Sequence, residues 1–299
     1  MGLDYGLKRQ CIRTPYPDEA NFYVDNVDCP GGAYPTSHYW NTVAEIEDPQ
    51  TGGSCIGPST QSVLINGPGS PITQVWHGSA ATGYTIDFKV DYTNLANPCA
   101  PPTFTELPLS DNPYCCGNEP LPRPDQFLVQ YTVTLNRTLS SPAAGGVHCG
   151  SEAFVTWLVA GSSTPISLSL QIDYFFDQSG LCCATPPGLP PDVIEYGTPR
   201  PGYEIYVIDL DGSKLSPPIH PTLGVATPIA INWGKILAHV IAEGLVPPPV
   251  SGWAASSATS TDSEVACEVR NDVTGTGGPM VEMQVTNFRE SAVIPVTAR

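Results

Sequence analysis

Apolar and polar residues alternate along much of the chain. Tyr84, Ile86, Phe88, Val90 and Tyr92 alternate with Thr85, Asp87, Lys89 and Asp91. Phe127, Val129, Tyr131, Val133 and Leu135 do the same against Gln126, Gln130, Thr132, Thr134 and Asn136, with Leu128 the exception. Ile166, Leu168, Leu170, Ile172 and Tyr174 form a third such run, Val265, Cys267 and Val269 a fourth, and Val281, Met283 and Val285 a fifth. A period of two puts one set of side chains on a dry face and the other on a wet one, so these runs predict half-buried strands. Residues 152–160 and 203–210 are more uniformly apolar and predict strands covered on both faces. Shorter candidates lie at 62–66, 72–77 and 292–297. Gly, Pro and Asn clusters bound the runs at 66–69, 143–146, 211–212 and 274–278. Many short alternating strands between such turns define a mainly β chain, an antiparallel β-sandwich of jelly-roll type.

One segment has a different period. Trp233, Ile236, Leu237, Val240 and Ile241 recur at helical spacing, which predicts an amphipathic helix over 232–243. Asn232 is its N-cap and Gly244 its stop. A single short helix on a β protein is expected to plug one end of the sandwich.

A faint internal repeat follows. Cys115-Cys116 and Cys182-Cys183 each open the pattern C-C-x-x-x-P-x-x-x-P-D. Upstream of each lies a strand ending in Asp-Tyr (Asp91-Tyr92, Asp173-Tyr174) and, further back, a tryptophan, Trp76 or Trp157. This reads as a duplicated hairpin-plus-loop unit. The expected organisation is an extended arm over 1–40, a β-sandwich region with the pseudo-repeat over 41–215, and the helix with C-terminal strands over 216–299, the last in the same sandwich or beside it.

Composition narrows the partners. With 12 basic and 29 acidic residues the formal charge is −17, and charged residues make up only 14%. Nucleic acid and anionic membranes attract Lys/Arg patches, so neither is expected as a partner. No apolar run reaches the roughly 18–20 residues of a membrane span. The 33 prolines and 28 glycines make up about a fifth of the 299 residues, against a usual share of about 12%, so long loops are expected.

Ten cysteines are present. Most sit beside Pro, Gly or polar residues, and Cys11, Cys29, Cys55, Cys99, Cys115, Cys116, Cys149, Cys182 and Cys183 are the disulfide candidates; Cys267 lies inside an alternating strand. The vicinal pairs are expected to divide their sulfurs among different partners. No C-x-x-C or H-x-x-x-H spacing marks a zinc site, and no cofactor or metal is expected. Residues 1–9 lack the apolar core of a secretory signal, so no export signal is expected there.

Candidate chemistry is sparse. The five histidines, His38, His77, His148, His220 and His239, fall in no hydrolase or metalloprotease motif. His148-Cys149 has the composition of a thiol–imidazole pair, but neighbours on a strand point to opposite faces. Asp209-Leu210-Asp211-Gly212 resembles the start of a calcium loop without its later acids and reads as a strand end followed by an Asp-Gly turn. Glu45, Glu47 and Asp48, with Asp18 and Glu19, form a weak acidic cluster, read as a solvated face. Asn136-Arg137-Thr138 is formally a glycosylation sequon at a strand end. The paired carboxylates of a glycosidase leave no spacing signature, because the fold brings them together. Trp40, Trp76, Trp157 and Trp253 are the aromatic candidates for stacking on sugars.

Two functions are compatible with this pattern. The expected one is a non-enzymatic structural protein of a multi-subunit assembly: a virion component, such as a phage capsid decoration, minor capsid, collar or tail protein. It would be stapled by disulfides and arm exchange, with copies of itself and other structural proteins as partners, and located in the virion or outside cells after release. The alternative is an extracellular carbohydrate-binding or carbohydrate-active β-sandwich protein.

Overall fold

The computed structural model describes residues 8–14, 23–24, 45–48, 53–54, 71–79, 83–94, 103–111, 127–141, 143–158, 165–177, 187–197, 205–246 and 258–295. They form a β-sandwich of two sheets. The first sheet runs β13 (Thr227–Asn232), β8 (Phe127–Leu139), β15 (Met280–Pro295), β1 (Lys8–Thr14), β2 (Tyr23–Val24). The hairpin of β5 (Ile72–Ser79) and β6 (Gly83–Asp91) joins it through β15. The second runs β11 (Val193–Gly197), β12 (Ile205–Asp211), β10 (Pro165–Asp177), β9 (Val147–Leu158), β14 (Ala258–Asn271), β7 (Thr103–Asp111), β3 (Glu45–Asp48) and β4 (Gly53–Ser54).

The alternating runs become the long strands, and their apolar sets face each other. Phe88, Val133, Leu135 and Val285 of the first sheet, and Val155, Leu170, Ile172 and Val265 of the second, are at most 1% exposed. Each such side chain contributes roughly 1.5–3 kcal/mol through burial. A few polar contacts link the layers. The Tyr131 hydroxyl lies 2.5 Å from Ser151 Oγ, and the Tyr174 hydroxyl donates to Met283 Sδ at 3.6 Å.

The strand order adds what the alternation left open. One strand pair is parallel: β11 takes the sheet edge, and β12 folds back between it and β10, running alongside β10. The segment expected as an arm contributes β1, which pairs with β15 of its own chain from Lys8↔Pro295 to Arg13↔Glu290. The C-terminal strands are central: β14 lies between β9 and β7, and β15 is bonded to β8 on one edge and to β6 and β1 on the other. The two hairpins of the repeat fall in different sheets, and the Cys115-Cys116 and Cys182-Cys183 loops lie outside the described residues, as does the 62–66 candidate. The last short candidate is absorbed into β15.

The helix α1 (Trp233–Ala242) forms where its period places it. Asn232 Oδ1 accepts from the Lys235 amide at 3.1 Å, and Gly244, at φ +75°, ends it in a conformation that favours glycine. Trp233, Leu237 and Val240 are buried. His239 Nε2 meets Asp192 Oδ2 at 2.6 Å, and the Tyr196 hydroxyl donates to the Leu245 carbonyl at 3.1 Å. The helix therefore closes one side of the sandwich, from the edge strand β13 of one sheet to the edge strand β11 of the other. Among the described residues, no helix is long and apolar enough to cross a membrane.

Candidate functional site

The second sheet turns one face to the core and the other away from it. On β9 the core face carries Cys149, Ser151 and Ala153, and the outer face His148, Gly150 and Glu152. Strand β9 starts at Val147, ahead of the apolar run, and this early start brings His148 and Gly150 onto the outer face. Gln171 and Asp173 of β10 and Ala266 and Glu268 of β14 join them around a small, open depression. The pairings Ala266↔Gly150 and Gln171↔Glu152 place these residues side by side.

His148 stands at the centre of the charge. Its Nε2 lies 2.6 Å from Glu268 Oε2 and its Nδ1 3.3 Å from Asp173 Oδ2. Side-chain exposure rises across the relay, from 3% at Asp173 through 12% at His148 to 31% at Glu268. Burial works against an imidazolium here, but the Glu268 and Asp173 carboxylates outweigh it and hold the histidine well above its ordinary pKa. Burial also works against the Glu268 charge; His148 prevails, and Glu268 sits below the ordinary carboxylate value. Asp173 goes the other way. Burial pushes it up, His148 only partly offsets this, and the nearby charges of Glu268 and Asp211 add to the rise. At neutral pH the relay thus presents an ionised glutamate at its open end.

Gly150 makes room for this geometry. A Cβ there would lie 2.4 Å from the Ile172 carbonyl oxygen and 2.7 Å from Asp173 Oδ1, so only glycine lets Asp173 lie across β9. Glu152, on the far side of the depression, accepts from Ser169 Oγ at 2.5 Å. The sheet register extends the acidic row. Glu268 of β14 is directly opposite Glu106 of β7, which is opposite Glu45 of β3. In the other direction His148 is opposite Phe176 of β10, which is 41% exposed.

The sequence-level candidates distribute unevenly. His148 and Cys149 point to opposite faces, and Cys149 closes a disulfide with Cys267 across the β9–β14 pair. Cys267, which is not among the disulfide candidates of the sequence, is both a core residue and a disulfide partner. Cys11 lies in β1, and Cys29, Cys55, Cys99, Cys115, Cys116, Cys182 and Cys183 fall outside the described residues. Asp211 ends β12 and caps a short 3₁₀ turn, accepting from the Ser213 amide at 2.9 Å. His77 pairs with Asp87 on an exposed surface, and His239 with Asp192 beside α1. Glu45, Glu47 and Asp48 form β3, whereas Asp18, Glu19, His38, Trp40 and Trp253 lie outside the described residues. Trp76 and Trp157 are on β5 and β9. Sequence reasoning missed Asp173, Glu152 and Glu268 as site residues. Asp173 and Glu268 had one signal, their position on the wet side of an alternating strand, whereas Glu152 opens a run that reads as covered on both faces.

No protein-family model and no curated protein matches the chain. Solved structures do match. The chain is similar to the family 11 xylanase from Neocallimastix patriciarum (8% identity, TM-score 0.40, 73% of this chain and 84% of that one). It is also similar to a native family 12 xyloglucanase from Bacillus licheniformis (8%, 0.39, 74% and 85%). A third is the xyloglucanase domain of NopAA, a type three effector from Sinorhizobium fredii (9%, 0.37, 89% and 97%). These are carbohydrate hydrolases, not coat proteins. On this finding the expectation of a non-enzymatic virion component, a phage capsid or tail protein, is corrected. The physical error lay in reading the lack of a local motif as a lack of catalysis, because carboxyls brought together across strands leave no motif. At these identities and TM-scores the likeness carries no activity to this chain, and the functional reading rests on the outer face itself.

Proposed function

We propose that this protein is a carbohydrate-active enzyme that hydrolyses glycosidic bonds on the outer face of its second sheet. The observation that carries the reading is Glu268, a partly exposed carboxylate kept ionised by a shielded histidine at the rim of an open depression. Glycoside hydrolysis uses two carboxyl groups flanking the bond, one ionised and one carrying a proton. Glu106 occupies the register position opposite Glu268. The register puts Glu106 and Glu268 on one face of neighbouring strands, a placement from which two carboxyls can flank one bond.

In this reading Glu268 attacks the anomeric carbon while Glu106 gives its proton to the departing glycosidic oxygen. Glu106 then takes a proton from water, the water oxygen displaces Glu268 from the sugar, and both residues return to their starting states. Asp173 meets His148 and acts as a positioning residue. Phe176, in the same transverse row, offers an aromatic face for a sugar ring. An open sheet face with an acidic row suits a neutral polymer better than an anionic one.

The test is release of reducing sugar from three neutral polysaccharides: hydroxyethyl cellulose, arabinoxylan and xyloglucan. Wild-type protein is expected to cleave at least one of them. E268Q and E106Q should each lose about 100-fold or more in kcat with the fold retained, and E152Q should stay within a few-fold of wild type. No hydrolysis of any of the three overturns the reading, as does full activity in E268Q.

A further inference from the structure

The disulfide and the histidine–glutamate contact belong to the same two dipeptides. His148-Cys149 on β9 faces Cys267-Glu268 on β14, with Cys149↔Cys267 and His148↔Glu268 in successive registers. Alternation sends the sulfurs into the core, where Cys149 and Cys267 are 1% and 0% exposed. It sends the imidazole and the carboxylate, 2.6 Å apart, to the outer face. The next pair along is Ala266↔Gly150, two small residues that line the depression. Three consecutive pairs thus make the space, hold the strands and carry the charge.

We propose that the Cys149–Cys267 bond is a positioning element of the site: it fixes the register and spacing of β9 and β14 beside the His148–Glu268 contact and so keeps Glu268 against the histidine. For its catalytic consequence this rests on the reading of Glu268 given above; its structural part stands alone. The local ladder shows why a covalent lock matters here. On the other edge of β9 the register with β10 shifts between Asp173 and Phe175, beside the residue that meets His148. The β9–β14 register shifts as well, between Ser260 and Asp262. A slip of one residue between β9 and β14 would move His148 and Glu268 out of register and onto opposite faces. The cross-link, with 118 residues between its ends, forbids that slip. It is also braced from the other sheet, where Met283 Sδ lies 3.5 Å from Cys267 Sγ.

The groups that face His148 are Glu268 from β14, Asp173 from β10 and, through Asp173, Asp211 from β12, with Glu152 further along its own strand. Freed from Glu268, the histidine keeps its longer contact to Asp173.

The test uses the full chain with C149A/C267A and, as a second variant, C149V/C267V, which keeps more apolar volume in the core. The readouts are the His148 imidazole titration by NMR and the pH profile on the polysaccharide that wild type cleaves. Both variants should fold at low temperature, and the His148 pKa should fall by a unit or more towards its ordinary value. The kcat should drop by about tenfold with KM little changed. A folded variant with an unaltered His148 titration overturns the proposal. So does failure of both variants to fold where wild type is folded, because the bond would then serve the whole sandwich rather than this pair of strands. A shifted histidine in a protein whose wild type cleaves no polysaccharide leaves the positioning role standing and removes the hydrolase reading.

Discussion

Two copies of the same dipeptide end two comparable strands and meet opposite fates. Asp91-Tyr92 closes β6, and Asp173-Tyr174 lies near the end of β10. Both tyrosines are buried, at 0% and 2% exposure, as the alternation of each strand requires. The aspartates differ. Burial works against the Asp91 charge, but the Thr93 hydroxyl and amide and the Lys89 ammonium outweigh it, and its pKa falls. Its partners are two residues away on either side, with Thr93 N at 3.1 Å and Lys89 Nζ at 3.3 Å. Asp173 has a histidine from the neighbouring strand and further carboxylates close by, and burial keeps its pKa up. A local turn settles the charge of the first; the company assembled by the sheet settles that of the second. The first is a strand end, and the second is part of a site.

Removing each aspartate's cationic partner gives the largest expected contrast. H148L leaves Asp173 buried without its histidine and should cost about 3–5 kcal/mol in urea unfolding at neutral pH. K89L beside Asp91 should cost under about 1 kcal/mol, because that ammonium is 40% exposed and well screened. Equal losses would mean that the two sites are electrostatically alike and would break the comparison.

The pH dependence separates the two sites by sign. His148 has a raised folded pKa, so its contribution is fully present below its ordinary value of 6.5 and is lost as the pH rises through the folded value. The raised Asp173 acts in the same direction, its contribution fading as the pH climbs above 3.8. The lowered Asp91 contributes above 3.8 and loses that contribution as the pH falls through its folded value. Melting temperatures followed from acid to alkaline pH should therefore show H148Q flattening the alkaline decline and D91N flattening the acid one. A swap of these two signatures would contradict the assignment.

The smallest effect sharpens the local half of the comparison. T93A removes the hydroxyl that donates to Asp91 and should cost roughly 0.5–1.5 kcal/mol, with the His148 titration unchanged. A change in that titration would show that the two sites communicate through the core.

What the sequence by itself determined is everything with a short period. The alternation around Phe88, Leu170 and Val285 set which residues face the core, because the pleat reverses side-chain direction at every step. The spacing of Trp233, Leu237 and Val240, with Asn232 before and Gly244 after, set the helix, because its caps act within a single turn. Tertiary structure alone decided the pairings. His148 meets Asp173 from 25 positions away and Glu268 from 120, and Cys149 finds Cys267 across 118. Those contacts depend on which strands become neighbours and in what register. That choice is made by the packing of two whole sheets, which no window of local residues contains.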